Sequence, residues 1–473
     1  MRPAIVTALV GLMVVGCATP RKADVRLPAA YEAPAPIAGA DAGVAPALEA
    51  WWTGFGDPEL TRLVEDTLAH NPDVRTARSR LSEVRSQSAG SLLRYFPQGD
   101  ATASKKRTDT RQLSGTRANI PGFSTNGVSE QASANFNVSW EVDSVFRGVL
   151  AYGAAAAEAD RARFGYEAAR AAIAAQVADA WFQAKGLAIQ LADARETQRV
   201  QQSLYDVAAK RAEIGLAAGS EPDRVAGDLA QAQAQAAALD AALQVQKRAI
   251  LILAGRTVEP TASVSAAPQV GVAPPVPATL PSDLLTRRPD VRQAQAAVRS
   301  AVRQQKLAVA AFFPTFLLTP GIGWQRIDQP GFSSETQNWS IGGSVTQPVL
   351  SIPRLLADLK VQNARTEQAV TSYEKTVQTA FQESEAALVN LDADRRRVTL
   401  LADGEVRARH AFEATRAGYA RGLIDLSTTL SAEQGWRAIR AQLTAAQVQS
   451  LRRTVQAYKA LGGGWPAQGH AAK

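Results

Sequence analysis

The chain is poor in the residues that most catalytic and metal chemistry needs. It has 473 residues but only one cysteine, three histidines and two methionines. The histidines, His70, His410 and His470, are far apart, and a single cysteine excludes an internal disulfide framework. No glycine-rich nucleotide-binding motif occurs, and few soft ligands remain for a copper-type relay. The net charge of +8 is modest and spread along the chain. With no basic block and no aromatic RNA-binding motif, no nucleic acid partner is expected. After the N-terminus no run approaches the roughly 20 apolar residues of a membrane helix. A membrane crossing would therefore have to use β-strands. Composition points away from an enzyme, and packing and assembly must supply the stability.

The one cysteine is placed informatively. Arg2 and the apolar run Ala4 to Gly16 read as a signal peptide over residues 1–16, too short to span a bilayer. Val14-Val15-Gly16-Cys17 matches a bacterial lipobox, so Cys17 is expected to carry diacylglyceryl and fatty acyl (palmitate) groups after cleavage. Ala18 follows it, where an Asp would retain the protein at the inner membrane. Residues 17–50, rich in Ala and Pro, read as a flexible lipidated tether.

Two halves repeat each other. Asn71-Pro72-Asp73-Val74-Arg75 recurs as Arg288-Pro289-Asp290-Val291-Arg292, and Phe96-Pro97 as Phe313-Pro314, both at an offset of 217. The offset then drops to 207 for Arg147 and Arg354, Gly215-Leu216 and Gly422-Leu423, and Ala254-Gly255 and Leu461-Gly462. The first copy therefore holds ten extra residues between its Phe-Pro and its Arg, where an exposed loop is expected. In each half a long segment free of interior proline and rich in Ala, Glu, Gln, Arg and Leu predicts a helix of roughly 100 Å. Such a rod needs partners along its length, as in a helical barrel. Each rod stops at glycines, Gly215 with Gly219 and Gly418 with Gly422, and a second helix follows, so each half holds a helical hairpin.

Between each Phe-Pro and each Arg the periodicity becomes two. Ala132, Ala134, Phe136, Val138, Trp140 and Val142 alternate with polar residues. Phe316, Leu318, Ile322 and Trp324 share one parity, as do Trp339, Ile341 and Val345. These segments have the length of tilted membrane strands. Lys105-Lys106-Arg107 is expected to end the first strand, and Pro320 to mark a bulge or an edge. Four strands cannot close a barrel, because bacterial barrels begin at about eight, so several chains must combine.

The whole pattern resembles the TolC-like outer-membrane factors, and most closely the NodT/OprM-type lipoproteins of drug-efflux systems. The resemblance rests on Cys17, Trp51-Trp52…Phe55-Gly56-Asp57-Pro58, the two Pro-Asp-Val-Arg repeats, the two Phe-Pro strand entries and Ser139-Trp140-Glu141-Val142-Asp143. The ending Tyr458-Lys459-Ala460-Leu461-Gly462-Gly463-Gly464-Trp465 is its most specific element. It implies a mainly α fold with a membrane β-barrel portion. Duplicated helical hairpins form a long α-barrel, and four strands per chain enter a twelve-stranded barrel shared by a homotrimer. It implies an exit duct in the cell outer membrane, anchored among its lipids, with no cofactor. A periplasmic membrane-fusion adaptor and an inner-membrane RND-type transporter are the implied partners, and multidrug resistance the implied trait. The hairpin turns become the periplasmic aperture, with Asp425 as an acidic ring and Glu221, Ser220, Tyr419 and Arg421 around it. Gly215, Leu216, Gly422 and Leu423 become the tips that meet the adaptor. Relatives often carry a further Asp where this chain has Ser431.

The expected domains are 51–97 (first equatorial segment), 98–142 (first β-hairpin), 143–256 (first α-hairpin), 257–313 (linker and second equatorial segment), 314–350 (second β-hairpin), 351–463 (second α-hairpin) and 464–473 (tail). Two other readings remain: a structural coiled-coil envelope lipoprotein, or a duct for protein secretion or metal efflux.

Overall fold

The computed structural model describes residues 23–33, 48–93, 95–111, 113–114, 126–142, 144–216, 218–277 and 279–464. The signal segment, Cys17 and Trp465 lie outside them. Among the described residues the longer helices and the strands follow one another as α1 (Pro58–His70), α2 (Pro72–Leu93), β1 (Gln98–Thr110), β2 (Gly127–Glu141), α3 (Ser144–Glu213), α4 (Ser220–Leu253), α5 (Pro289–Ala310), β3 (Thr315–Gln329), β4 (Phe332–Thr346), α6 (Ile352–Ala420) and α7 (Leu426–Ala460). At 1.5 Å per residue, the 70 residues of α3 and the 69 of α6 each make a helix of about 105 Å. No helix among the described residues is long and apolar enough to cross a membrane.

The chain divides into two compact units, and the boundary runs through α2, α3, α5 and α6. Of the described residues, one comprises those within 81–161 and 294–373; the other comprises those within 24–80, 162–293 and 374–464. The first holds a four-stranded antiparallel sheet of order β1-β2-β3-β4. Gln329 pairs with Phe332, leaving Pro330-Gly331 as a two-residue turn. Gly331 has φ +79°, the value a type II turn needs after proline. The β1–β2 connection, residues 111–126, takes up the extra length of the first copy. β1 does not stop at Lys105; it pairs through to Thr110, because Lys105 and Arg107 lie 3.7 and 3.4 Å from Glu130 on the neighbouring strand. Pro320 is neither at an edge nor at a bulge. It pairs with Ile341 on β4, and the β2–β3 register is the same on both sides of it, Asn137 to Gly321 and Trp140 to Leu318. Only the rungs at Val138 and Ser139 drop out, where proline has no N–H to give. At the foot of the sheet, Arg147 donates to the Phe313 carbonyl at 2.8 Å and Gln347 to that of Phe312 at 3.1 Å.

The second unit is built around a knot of aromatic rings. Trp51 stacks on Tyr458 at 5.7 Å and meets Phe55 edge-on, and Phe55 packs on Phe182 at 4.9 Å. Asp57 ties the knot to α1. One carboxylate oxygen caps the helix by accepting from the backbone of Glu59 and Leu60. The other accepts from Trp181 at 2.9 Å and Lys185 at 3.0 Å. Burial alone would raise the Asp57 carboxyl, but these donors outweigh it and hold the group below its ordinary value. The Tyr458 hydroxyl donates to the Pro275 carbonyl, and burial pushes its pKa up to about 12. The glycine run after Tyr458 has a steric cause. A Cβ on Gly463 would stand 2.9 Å from the Tyr458 carbonyl, 3.0 Å from Trp51 and 3.1 Å from the Leu48 carbonyl, and the Gly464 N–H donates to that same Leu48 carbonyl at 2.7 Å.

Part of the segment expected to be a loose tether is packed. Asp24 N–H donates to Glu374, Tyr31 stacks on Phe381 with ring planes 6° apart, and Ala33 N–H donates to Glu385. The repeated helix starts also differ. Asn71 caps α2 through Asp73 and Val74 and sends its amide to the Leu253 carbonyl at the end of α4. Arg288 has no acceptor for a cap, as its sequence implies, yet it does the second half of the same task. Its guanidinium donates to the Ala460 carbonyl at the end of α7 and pairs with Asp290 and Glu383.

Asp57→Asn keeps the capping oxygen but removes the charge facing Lys185. It is expected to cost about 1–3 kcal/mol. Because the Asp57 pKa is depressed, its contribution is present above the ordinary aspartate value and is lost as pH falls through the lower folded one. Thermal unfolding of the two proteins should therefore converge at acid pH; equal stability at neutral pH would remove Asp57 from the knot.

Candidate channel wall and helical tips

The strand register sorts the sheet into two chemically distinct faces. One face carries Ala101 and Ala103 on β1, Ala134, Phe136, Val138 and Trp140 on β2, Phe316, Leu318, Ile322 and Trp324 on β3, and Ile341 and Val345 on β4. Trp339, opposite Ile322, is 78% exposed and Ile341 67%, so this apolar face has no cover among the described residues. The band ends in charge, with Lys105, Arg107, Glu130, Arg326, Asp328 and Glu335 on the same face beyond it. The opposite face is mainly polar, and Asp100, Lys106 and Glu141 lie on it. Asn135 and Asn137 lie opposite Gly323 and Gly321, and Asn338 opposite Gly323 on the far side. A Cβ on Gly323 would meet the amide oxygens of Asn135 and Asn338 at 2.5 and 2.7 Å, so glycine is what lets those side chains lie flat across the sheet. β1 and β4 each pair on one side only.

The helical tips end on the same pair of backbone bonds. Leu216 N–H reaches back to the Arg211 carbonyl at 2.8 Å, and Gly215 N–H to that of Ala212 at 3.1 Å. Leu423 N–H reaches the Gly418 carbonyl, and Gly422 N–H that of Tyr419, both at 2.9 Å. Both are Schellman endings, with Gly215 and Gly422 at φ +75°. The turns leave Ile214, Leu216 and Leu423 60, 68 and 77% exposed. Ser220, at the start of α4, is exposed, as is Arg421.

Behind the turns the structure brings Glu221 and Tyr419 together but leaves Arg421 out. Arg211 takes that place. It donates to the Tyr419 carbonyl at 3.2 Å and lies over the Tyr419 ring at 5.0 Å. Tyr419 is 2% exposed, and burial, then the nearby Glu221 carboxylate, push its hydroxyl above the ordinary tyrosine value. These groups close over a small core of Val200, Leu204, Ala208, Val225, Phe412, Leu426 and Leu430. The signal for Arg211 in sequence is its place in the last turn of α3, where a basic side chain meets free carbonyls. Asp425 caps α7: its carboxylate accepts from the Thr428 N–H and hydroxyl, both at 2.8 Å, and these bonds lower its pKa. Its side chain is on the surface of the chain. Phe412 stacked on Trp436, with Trp436 donating to Glu405, joins α6 to α7 above this point. Across the helices, Arg452 holds Asp179 in a two-pronged pair at 2.7 and 3.0 Å, and Arg440 holds Asp193 at 2.5 Å. Among the described residues no group of three or more His, Cys, Asp or Glu converges as a metal set.

Comparison with known proteins matches this architecture along nearly its whole length. The family signature for outer membrane efflux proteins covers residues 63–256 and 280–463. The antibiotic efflux pump outer membrane protein ArpC of Pseudomonas putida is 27% identical over 435 residues, spanning 90% of this chain and 87% of that protein. The pyoverdine export outer membrane protein OpmQ of Pseudomonas aeruginosa is 26% identical, with 88% of each covered. The outer-membrane channel OprN superposes with a TM-score of 0.81 at 24% identity, covering 95% of this chain and all of that one. Members of this family are transport channels rather than enzymes. Two repeated helical hairpins, a sheet with one apolar and one polar face, and a family signature in both halves make this chain a member of the outer membrane efflux proteins, an exit duct of the outer membrane.

Proposed function

We propose that three copies of this chain form one duct, in which a twelve-stranded barrel crosses the outer membrane and the long helices enclose a passage through the periplasm. The observation that carries the reading is the sheet with two unpaired edges. Its four strands run alternately up and down, so β4 of one copy and β1 of the next meet antiparallel and close the ring without an open edge. The band that includes Ile341 and Trp339 faces lipid, and the Asn- and Gly-lined face encloses water. Lipid on Cys17 adds a second hold on the membrane.

The exposed Leu216 and Leu423, presented by Gly215 and Gly422, suit a periplasmic adaptor, which links the duct to an inner-membrane RND-type pump. The relatives that carry antibiotics, pyoverdine and, in the Escherichia coli cation efflux system protein CusC, cations support small-molecule cargo. Arg211, Tyr419 and Glu221 latch the two turns together, and the exposed Asp425, with Ser220 and Arg421 beside it, contributes a ring of carboxylates when three copies converge. Such a ring favours cations. A coiled-coil tether would explain the rods but leaves the two-faced sheet without a purpose.

In detergent the protein should run as a compact trimer until heated; migration as a monomer without heating would remove the shared barrel. Ile341→Arg places a charge in the middle of the lipid-facing band and should weaken the trimer by about 2–4 kcal/mol, whereas Ser340→Arg, one residue away on the watery face, should leave its heat stability nearly unchanged. Equal effects would mean that the two faces are assigned wrongly. In planar bilayers Asp425→Ala should lower cation selectivity or change single-channel conductance; unchanged values would take Asp425 out of the aperture.

A further inference from the structure

One ionisable group near the tips is neither on the surface nor part of the latch. Glu433, on α7 two turns beyond Asp425, is 1% exposed. Its Oε2 accepts a 2.6 Å hydrogen bond from the Gln201 side-chain amide on α3. Its Oε1 is buried and makes no hydrogen bond. The charged groups acting on it are few. Arg437, one turn along α7, approaches Oε1 at 3.8 Å but is 35% exposed, and Asp228 of α4 acts against a second negative charge. From α3 the partner is the neutral Gln201. On the α6 side, the neighbouring turns of α7 are covered by the Phe412 ring against Trp436, with Glu405 held by the Trp436 indole.

The amide that holds Glu433 is itself incomplete. Gln201 is 1% exposed, and its carbonyl Oε1 is also buried without a donor. Two adjoining side chains, already joined by one bond, therefore each keep one orphaned oxygen. An ionised carboxylate can only accept, so it leaves both orphans unmet. A proton on Glu433 Oε1 supplies the missing donor, which the Gln201 carbonyl can accept. The single bond then becomes a reciprocal acid–amide pair. Each buried orphan costs free energy, and one proton removes both.

We propose that Glu433 and Gln201 form a proton-operated clasp between α3 and α7, closed when Glu433 is neutral and slack when it is charged. Burial, the largest influence, and then Asp228 push the Glu433 pKa above the ordinary glutamate value, with Arg437 and Gln201 opposing. The sign follows. The added stability is fully present below the ordinary glutamate pKa and is lost as pH rises through the raised folded value. Arg211 of the latch lies in the last turn of α3 and Asp425 caps the start of α7, the two helices that the clasp joins. Acidification of the periplasm would therefore hold the tips together, and neutrality would release them. This last step rests on the tips being the aperture, as proposed above.

The test uses the full-length assembled protein and Glu433→Gln, whose second amide imitates the neutral acid. Infrared difference spectra taken from below the ordinary glutamate pKa to neutrality should show a protonated-carboxyl band in the wild type that disappears on the alkaline side and is missing in Glu433→Gln. The wild-type unfolding midpoint should fall by a few degrees over the same range, after subtraction of the variant's own pH slope. A band unaffected by Glu433→Gln, or identical pH slopes in the two proteins, would overturn the clasp. Bilayer conductance measured on the same samples separates the two ideas. Lower conductance at acid pH in the wild type and a pH-independent low value in Glu433→Gln carry the clasp through to the aperture. A Glu433-dependent band and slope with no difference in conductance would keep the clasp and sink the tip as the gate.

Discussion

Hydrocarbon cannot satisfy a backbone hydrogen bond, and most of this chain's architecture follows from that constraint. Four strands give two open edges, and in lipid an open edge is a row of unpaired N–H and C=O groups costing several kcal/mol each. No substitution in one copy can remove those edges; only more strands can. An even number of strands lets identical copies continue the antiparallel pattern, so β4 and β1 are each other's natural partners across a boundary. The demand for partners then passes to the helices. Helices of about 105 Å bear too little apolar surface per turn to stand alone, and their alanine-rich faces, such as Ala168 to Ala175, suit close neighbours rather than solvent.

Duplication meets the demand economically, and the copies agree at the level of single hydrogen bonds. Leu216 to Arg211 and Leu423 to Gly418 are the same bond at an offset of 207, and so are Arg256 to Leu251 and Gly463 to Tyr458. Where the residues differ, the task survives. Asn71 and Arg288 are unlike in size and charge, yet each sends a donor to the final carbonyl of the helix that ends its half, Leu253 or Ala460. What is held constant is the satisfaction of a helix end, since those last carbonyls have no partner within their own helix. The longer arm of Arg288 also reaches Glu383 on α6, so the second copy gains an ion pair the first lacks.

The elements set by local chemistry were legible in the sequence. The alternation through Phe136, Val138 and Trp140 is visible because the two faces meet different surroundings, and the helix stops at Gly215 and Gly422 because only glycine takes φ +75° without strain. What failed to show was decided by partners distant along the chain. Lys105 and Arg107 look like a strand end when read alone; Glu130 on the neighbouring strand makes them part of it. Pro320 looks like an edge residue until β3 is seen to have a neighbour on each side, with the ladder merely skipping two rungs. Tyr31 has no local reason to be ordered, and its reason is Phe381, 350 residues away. Among the tip residues, Glu221 and Tyr419 came together, but the cation beside them is Arg211 from the other hairpin, not Arg421 from the same turn.

The tips also show why a duct keeps polar groups where apolar ones would pack better. A tip core made only of Leu204, Val225, Phe412 and Leu430 would have one favourable arrangement and every reason to stay in it. Removing a buried ion pair or polar pair in favour of hydrocarbon is often neutral or stabilising, so Arg211 over Tyr419 and Gln201 on Glu433 are poor choices for rigidity alone. They suit the opening joint proposed for the tips. In the proposed open state water would satisfy Arg211, Glu221 and Glu433, whereas exposed leucine and phenylalanine would be penalised by their full area. On the proposal that the tips open, polar closure would narrow the free-energy gap between shut and open, and the buried Tyr419 hydroxyl and Arg211 Nε, which make no hydrogen bond, narrow it further. By the same logic the aromatic knot around Trp51, Phe182 and Tyr458, with Asp57 its main charged tie, suits a rigid part of the molecule: parting it would expose its rings to water.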